Sequence, residues 1–255
     1  MKIDYSGKTV VLSGGGSGIG LAMVKAFSEA GATVLVLDNS ADEAKRSTAA
    51  WSNVSVFACD VSKQKDVLQV VHEIGSRYKI DVLINNAGIA HIGTASSTQE
   101  ADFDRLMAVN VKGVYNCLHA VIPYMQKNGG GAILNTASIA GSLGLADRFA
   151  YSTTKGAVIA MTYSVAKDYL KDSIRCNCIS PARVHTPFID GYLKNNYPGK
   201  EKEMFDKLSK TQPIGRMGTP DEIAALALFL CSDQAAFITG TDYVIDGGFV
   251  KLGGG

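Results

Sequence analysis

Short β-branched runs alternate with helical patterns along nearly all of this chain, and the first junction between them is built from glycine. The run Thr9 to Leu12 leads into Gly14-Gly15-Gly16-Ser17-Gly18-Ile19-Gly20, which opens a helical pattern over Gly18 to Glu29. Repeated strand-helix alternation makes βαβ units, whose parallel sheet is covered by helices on both faces. Further strands are expected at Thr33 to Asp38, Ser55 to Cys59, Val82 to Asn85, Ala132 to Asn135, Ile174 to Ile179 and Tyr243 to Ile245. Further helices are expected over Asp42 to Ala50, Lys63 to Tyr78, Gln99 to Lys127, Tyr151 to Lys171 and Pro220 to Ser232. The last has Thr219 as N-cap, Pro220 at its first position and Asp221 and Glu222 in its first turn, all favoured at a helix start. The 255 residues carry no Pro-rich, Ser-rich or charged linker, so one domain over 1–255 is expected. Its class is α/β, a Rossmann fold with a doubly wound parallel sheet of about seven strands.

Regular alternation lapses between about Pro181 and Gly218, where Pro187, Gly191, Pro198, Gly199, Pro213 and Gly215 break up any long element. An excursion of that length beside the carboxyl end of a sheet is usually functional, and 181–218 is read as a substrate loop.

Charge and composition exclude several classes of partner. A formal net charge of +1 with dispersed basic residues supplies no field for nucleic acid or an anionic membrane surface. No apolar run approaches the roughly 20 residues that span a bilayer. The first residues, Met-Lys-Ile-Asp-Tyr-Ser-Gly-Lys, lack the apolar core of a signal peptide. Five scattered cysteines argue against a disulfide framework and suit a reducing cytoplasm. Cys176 and Cys178 fit one face of a buried strand better than a metal site, and no metal is expected.

A glycine turn between strand and helix lets backbone approach a pyrophosphate, whose charge the amides and dipole of the helix start favour. Asp38 closes the second strand about 20 residues further on, where a carboxylate can accept hydrogen bonds from an adenosine ribose. The same charge would repel a 2′-phosphate, and neither Ser17 nor Asn39 offers a compensating cation. NAD is therefore expected over NADP.

In Tyr-Ser-Thr-Thr-Lys, Tyr151 and Lys155 stand one helical turn apart on the same face. A phenol is a poor acid near neutrality, with a reference pKa of about 10. A cation at ~4 Å stabilises its phenolate by roughly 4 kcal/mol at an effective dielectric of about 20. Such a tyrosine can act as a general acid or base.

Together the glycine loop, Asn85-Asn86-Ala87-Gly88, Ser138 and the Tyr151/Lys155 pair resemble the short-chain dehydrogenase/reductase family in its form of roughly 250 residues, from Lys8 to Asp246-Gly247-Gly248. The resemblance implies that Gly14, Gly18 and Gly20, with the backbone of Ile19, hold the cofactor. It implies that Asp60 and Val61 hold the adenine and that Asn86, Ala87 and Gly88 lie along the cofactor. It implies a catalytic tetrad of Asn110, Ser138, Tyr151 and Lys155. In that family the tyrosine exchanges a proton with the substrate oxygen and the serine hydrogen-bonds that oxygen. The lysine binds the nicotinamide ribose and lowers the tyrosine pKa, and the asparagine holds a helix kink and a water linking lysine to solvent. Pro181, Val184 and Thr186 match positions that contact the nicotinamide carboxamide.

Where many members carry Pro-Gly, this chain reads Pro181-Ala182-Arg183-Val184-His185-Thr186-Pro187. A guanidinium can grip a carboxylate bidentately and an imidazole can hydrogen-bond hydroxyls, so Arg183 and His185 are candidate substrate residues. His91, at the carboxyl end of a strand, and Arg148, near Tyr151, are further candidates. With Tyr192, Asn195, Asn196 and Tyr197, the loop is polar and aromatic, similar to members acting on sugars and sugar acids, including L-fucose and 2-keto-3-deoxy-L-fuconate dehydrogenases.

The leading expectation is an NAD-dependent oxidoreductase acting on a secondary alcohol or ketone of a small sugar, sugar acid or polyol. A 3-oxoacyl thioester reductase shares the tetrad and is the enzymatic alternative. A non-catalytic dinucleotide sensor is the alternative from another class, although it would have no need of the tetrad. The family commonly forms homotetramers through its central helices and last strand, and apolar residues in Phe103 to Lys127 and Gly156 to Lys171 suit that assembly.

Overall fold

The computed structural model describes residues 3–253. Its sheet contains β1 (Thr9–Ser13), β2 (Thr33–Asp38), β3 (Val54–Ala58), β4 (Val82–Asn85), β5 (Gly131–Thr136), β6 (Ile174–Pro181) and β7 (Asp242–Ile245). The order is β3-β2-β1-β4-β5-β6-β7, with every neighbouring pair parallel. This is the single-domain Rossmann arrangement expected from the alternation.

Side chains of a strand point alternately to its two faces, so a sheet covered on both sides buries two cores. On β1, Val11 packs into one cluster with Leu35, Leu83 and Ile133, under α3 (Gln64–Arg77), α5 (Gly113–Lys127) and α6 (Phe149–Asp168). Val10 and Leu12 face the other cluster with Val34, Val36 and Ile84. That face is closed by α1 (Gly18–Glu29) and α9 (Pro220–Cys231), through Met23, Phe27, Ile223 and Leu230. Each such side chain stabilises the fold by about 1.5–3 kcal/mol on burial. Cys176 and Cys178 lie in the first cluster, as strand-face residues of β6.

Two regions depart from the sequence expectation. The helix expected over Gln99 to Lys127 is divided into α4 (Glu100–Leu106), a π-helical turn (Met107–Lys112) and α5. The 181–218 segment also holds two helices, α7 (Pro187–Asn196) and α8 (Glu201–Lys210). Pro187 stands at the first position of α7, where a missing N–H removes no intrahelical bond, so it starts a helix instead of breaking one. The remaining helices are α2 (Ala41–Thr48) and α10 (Phe249–Leu252). At α9 the expected cap is present: the Thr219 hydroxyl accepts from Glu222 N, and the Glu222 carboxylate accepts from Thr219 N.

Strand succession runs outward in opposite directions from β1 and β4, which leaves a crevice at their carboxyl ends. A buried polar ladder crosses beneath it. Asn85 Nδ2 donates to Asn135 Oδ1 at 2.8 Å, and Asn135 Nδ2 donates to Thr162 Oγ1 at 2.9 Å. The ladder pins β4, β5 and α6 together below the crevice.

Candidate active site

The glycine loop is compressed against the end of β4. Gly14 has φ +71°, and a Cβ there would meet Ala87 Cα at 2.7 Å. Asn86 Nδ2 donates to Gly14 O at 2.8 Å, and Asn86 N donates to Ser13 Oγ at 3.1 Å. A Cβ on Gly20 would collide with Gly14 O, so α1 can begin this close to the loop only with glycine at position 20. Ser17, exposed at the N-cap of α1, makes no side-chain cap bond. The amides of the first turn have no intrahelical acceptor and are left to an external one. Ile19 is partly buried against the second core.

Asp38 stands directly at this loop. Its Oδ2 accepts from Gly16 N at 3.0 Å and its Oδ1 from Ser40 N at 2.9 Å. Thr186, the residue before α7, closes over the loop from the far side, its methyl 3.5 Å from where a Cβ on Gly18 would lie. Val184 is buried and bridged to Gly218, while Pro181 ends β6. Asp60 accepts from the hydroxyl and amide of Ser62 and lies 3.3 Å from Lys63 Nζ; the Ser62 hydroxyl bond is the main cause holding its carboxyl below the usual range. Val61 is buried, and its carbonyl accepts from Asn116 Nδ2 at 2.8 Å. A backbone cradle, uncapped helix amides and a carboxylate at the second strand end fit a dinucleotide, which Gly14, Ser17, Gly18, Ile19, Gly20 and Asp38 would hold.

Past the loop, the tetrad residues converge. Asn110 is buried in the π turn; its Oδ1 accepts from Ile89 N at 2.8 Å, and its Nδ2 donates to Ile89 O at 2.8 Å and Thr154 Oγ1 at 3.0 Å. A π turn widens a helix and aims one residue aside, which is the kink the family resemblance implies. Gly88 lies beside this group: a Cβ there would be 3.4 Å from Asn110 Oδ1 and 3.6 Å from Lys155 Nζ. Ser138 follows β5; its hydroxyl accepts from Ala140 N at 3.2 Å and reaches Pro181 O at 3.5 Å. Lys155 is buried, with Nζ 5.7 Å from the Tyr151 ring centroid and donating to Thr136 O at 2.7 Å.

The electrostatics differ from the sequence expectation in one respect. Burial raises the Tyr151 phenol, and the two influences that oppose burial are a hydrogen bond with Ser138 and the positive charge of Arg148. Lys155 is itself pushed down to about 8 by burial, and its ammonium is committed to the Thr136 carbonyl. Arg148, one turn before the tyrosine, is thus a further cation that favours the phenolate.

Of the candidate substrate residues, the fold brings Arg148 and His91 together. Arg148 precedes α6, and its Nη1 donates to the His91 carbonyl at 3.4 Å. The bridge between Gly93 and Arg148 fixes that approach. The His91 ring has a buried Nε2 without a hydrogen-bond partner among the described residues. Arg183 donates from Nε to Thr211 Oγ1 at 3.1 Å and lines a cavity of about 440 Å³ with Leu143, Leu145, Thr211, Phe249 and Val250. His185 is not brought to this group. It is exposed, pairs through Nε2 with Asp190 at 2.9 Å, and sets its ring edge-on to Phe205. Sequence reasoning missed Thr136, Thr154, Thr211 and the C-terminal Phe249 and Val250. Thr136 acts through its backbone carbonyl, Thr154 and Thr211 through their hydroxyls, and Phe249 and Val250 through tertiary packing, and no motif marks any of them.

Equipment of this kind at the switch point of a parallel sheet defines an α/β dinucleotide-binding protein, and known proteins place it more narrowly. A family model described as enoyl-(acyl carrier protein) reductase matches residues 14–250. Dehydrogenase/reductase SDR family member 6 of Aquarana catesbeiana is 39% identical over 244 residues, which are 95% of this chain and 97% of that protein. The L-sorbose reductase of Gluconobacter frateurii, solved with NADPH and L-sorbose, superposes with a TM-score of 0.93 at 30% identity, covering 98% of this chain and 99% of that one. The 3-ketoacyl-(acyl-carrier-protein) reductase of Brucella melitensis, solved with NADH, gives 0.88 at 34% identity, covering 96% and 99%. The chain belongs to the short-chain dehydrogenase/reductase family. It is an oxidoreductase of that family, and the family fold binds a nicotinamide dinucleotide.

Proposed function

We propose that the protein is an NAD-preferring dehydrogenase acting on the secondary alcohol or ketone of a small hydroxylated substrate, in the class of sugars, sugar acids and polyols. The observation that carries the reading is the convergence of Tyr151, Ser138 and Lys155 between β5, β6 and the glycine loop. A bound nicotinamide would supply the hydride acceptor for oxidation of the substrate carbon and the hydride donor for its reduction. Tyr151 accepts the hydroxyl proton in oxidation and donates it in reduction, and Ser138 hydrogen-bonds the same oxygen. Lys155 would hold the nicotinamide ribose, and Asn110 keeps the loop at Ile89 in place beside it. Asp38 supports the preference for NAD, because its carboxylate, held at the glycine loop by Gly16 N and Ser40 N, would repel a 2′-phosphate.

Exposed Tyr115 and Tyr163 on α5 and α6 support a homotetramer formed through those helices. Five buried free cysteines suit the cytoplasm. A 3-oxoacyl thioester reductase is the second reading, favoured by the apolar Leu143, Leu145, Phe249 and Val250 around the cavity at Arg183.

The test is nicotinamide absorbance on sugars, aldonic acids, polyols and 3-oxoacyl thioesters, with both cofactors in both directions. Turnover of the small hydroxylated compounds with NAD, lost at least a thousandfold in Tyr151→Phe with NAD binding retained, is expected. Preferential reduction of the thioesters with NADPH would replace this reading with the second.

A further inference from the structure

Asn110 in the π turn is followed six residues later by a second buried asparagine, Asn116 of α5. Asn116 is fully buried, and its Nδ2 donates to the Val61 carbonyl at 2.8 Å. The reverse orientation of the amide would set two oxygens against each other, so the donor side faces Val61. Its Oδ1 is left without a hydrogen-bond partner among the described residues. A half-satisfied buried amide costs stability, so packing alone gives no reason for an asparagine here. Gly113, one turn earlier on the same face, admits the close approach of α5: a Cβ there would stand 2.8 Å from Val61 Cγ2.

The turn that Asn116 grips is otherwise tied to itself. Asp60 Oδ1 accepts from the Ser62 hydroxyl at 2.7 Å and the Ser62 amide at 3.0 Å, and the Asp60 carbonyl accepts from Lys63 N at 2.9 Å. With the Val61 carbonyl on Asn116, the peptide groups on both sides of Val61 are fixed. The Val61 amide itself has no acceptor among the described residues. An accepting carboxylate and a donating amide on neighbouring residues match a base edge that sets an amino donor beside a ring-nitrogen acceptor, as the N6 and N1 edge of adenine does.

We propose that Asn116 is a positioning residue for the cofactor's adenine: by fixing the Val61 peptide it aims the Val61 amide at the ring nitrogen, with the Asp60 carboxylate toward the amino group. The proposal rests on the reading of Asp60 and Val61 as adenine residues, and it is independent of the substrate and of turnover. Asn110 and Asn116 then anchor, from one helical rod, the loops that follow β4 and β3. The rod holds the dinucleotide site at both ends.

The test compares the binding of NADH with that of reduced nicotinamide hypoxanthine dinucleotide, each titrated into the cofactor-free protein and followed by nicotinamide fluorescence. Hypoxanthine carries a hydrogen on N1 and an oxygen at C6, so it reverses both hydrogen bonds and leaves the rest of the molecule unchanged. A site built to pair with one edge rejects the other. The wild-type protein is expected to bind NADH at least tenfold more tightly than the analogue. Asn116→Leu, close to asparagine in shape, is expected to lower that ratio at least threefold, chiefly by weakening NADH. Asn116→Ala carries the same expectation and serves where leucine does not pack. General structural damage would weaken both dinucleotides alike and leave the ratio where it was. A ratio that changes by less than threefold in the variants that fold would overturn the role of Asn116 and leave the adenine reading of Asp60 and Val61 standing. A wild-type preference below tenfold would overturn that reading and the proposal with it.

Discussion

Asp38→Asn is the substitution that most directly tests how the cofactor is chosen. The carboxylate is fixed by two backbone amides, from Gly16 at 3.0 Å and Ser40 at 2.9 Å, so it stands at the glycine loop as a held charge and not a swinging one. At ~4 Å and an effective dielectric of about 20, each unit of phosphate charge would meet a repulsion of roughly 4 kcal/mol. Solvent at this partly exposed carboxylate screens that value, leaving about 1.5–3 kcal/mol, or about ten- to a hundredfold in rate at 1.36 kcal/mol per decade. Asparagine preserves the shape and one acceptor while removing the charge. The NADP-to-NAD ratio of kcat/KM should therefore rise by that factor, and a further Asn39→Arg change should raise it again by supplying a cation. Steady-state kinetics with each cofactor at saturating substrate gives the ratio. A ratio within threefold of wild type in Asp38→Asn would show that this carboxylate does not discriminate between the cofactors.

Gly20→Ala should weaken NAD binding at least tenfold by fluorescence titration and lower stability by roughly 1–3 kcal/mol, since its Cβ would collide with the Gly14 carbonyl. Unchanged affinity would refute the compression argued for the loop. Lys155 offers a pH test. Its folded value of about 8 lies below the 10.5 of the free side chain, so between those values the unfolded chain binds more protons and stability rises with pH. Chemical denaturation of the cofactor-free protein should show wild type gaining about 2 kcal/mol on Lys155→Met between pH 7 and pH 10, and a gap that stays constant or moves the other way would contradict a buried, readily deprotonated lysine.

How legible all this was depended on whether a feature is local. The glycine loop, Asp38 and the cap at Thr219 could be read because each needs particular residue types at fixed short spacings. The division of the helix at Met107–Lys112 could not, because a π turn keeps helical composition and its cause is the pull of Ile89, from another segment, on Asn110. α7 and α8 escaped notice because Pro187 was weighed as a breaker when it occupies a helix start. The placement of His185 against Asp190 and Phe205 depends on the packing of those same two helices. Tyr151 and Lys155 were legible as a pair, yet their balance of charge was not. The acceptor that engages the ammonium is a β5 carbonyl, and an arginine three residues upstream adds a further cation that favours the phenolate.

The π turn makes the site depend on counting as well as on identity. It carries one residue more than an α-helix joining α4 to α5 would need. Deleting a single residue there would allow an ordinary helix, with both flanking helices left in place and every buried leucine and valine still facing the sheet. Asn110 would survive in the sequence but swing by about 100° away from Ile89. The loop after β4 would then lose its anchor with no candidate site side chain altered, so the architecture of this candidate site is encoded partly in chain length.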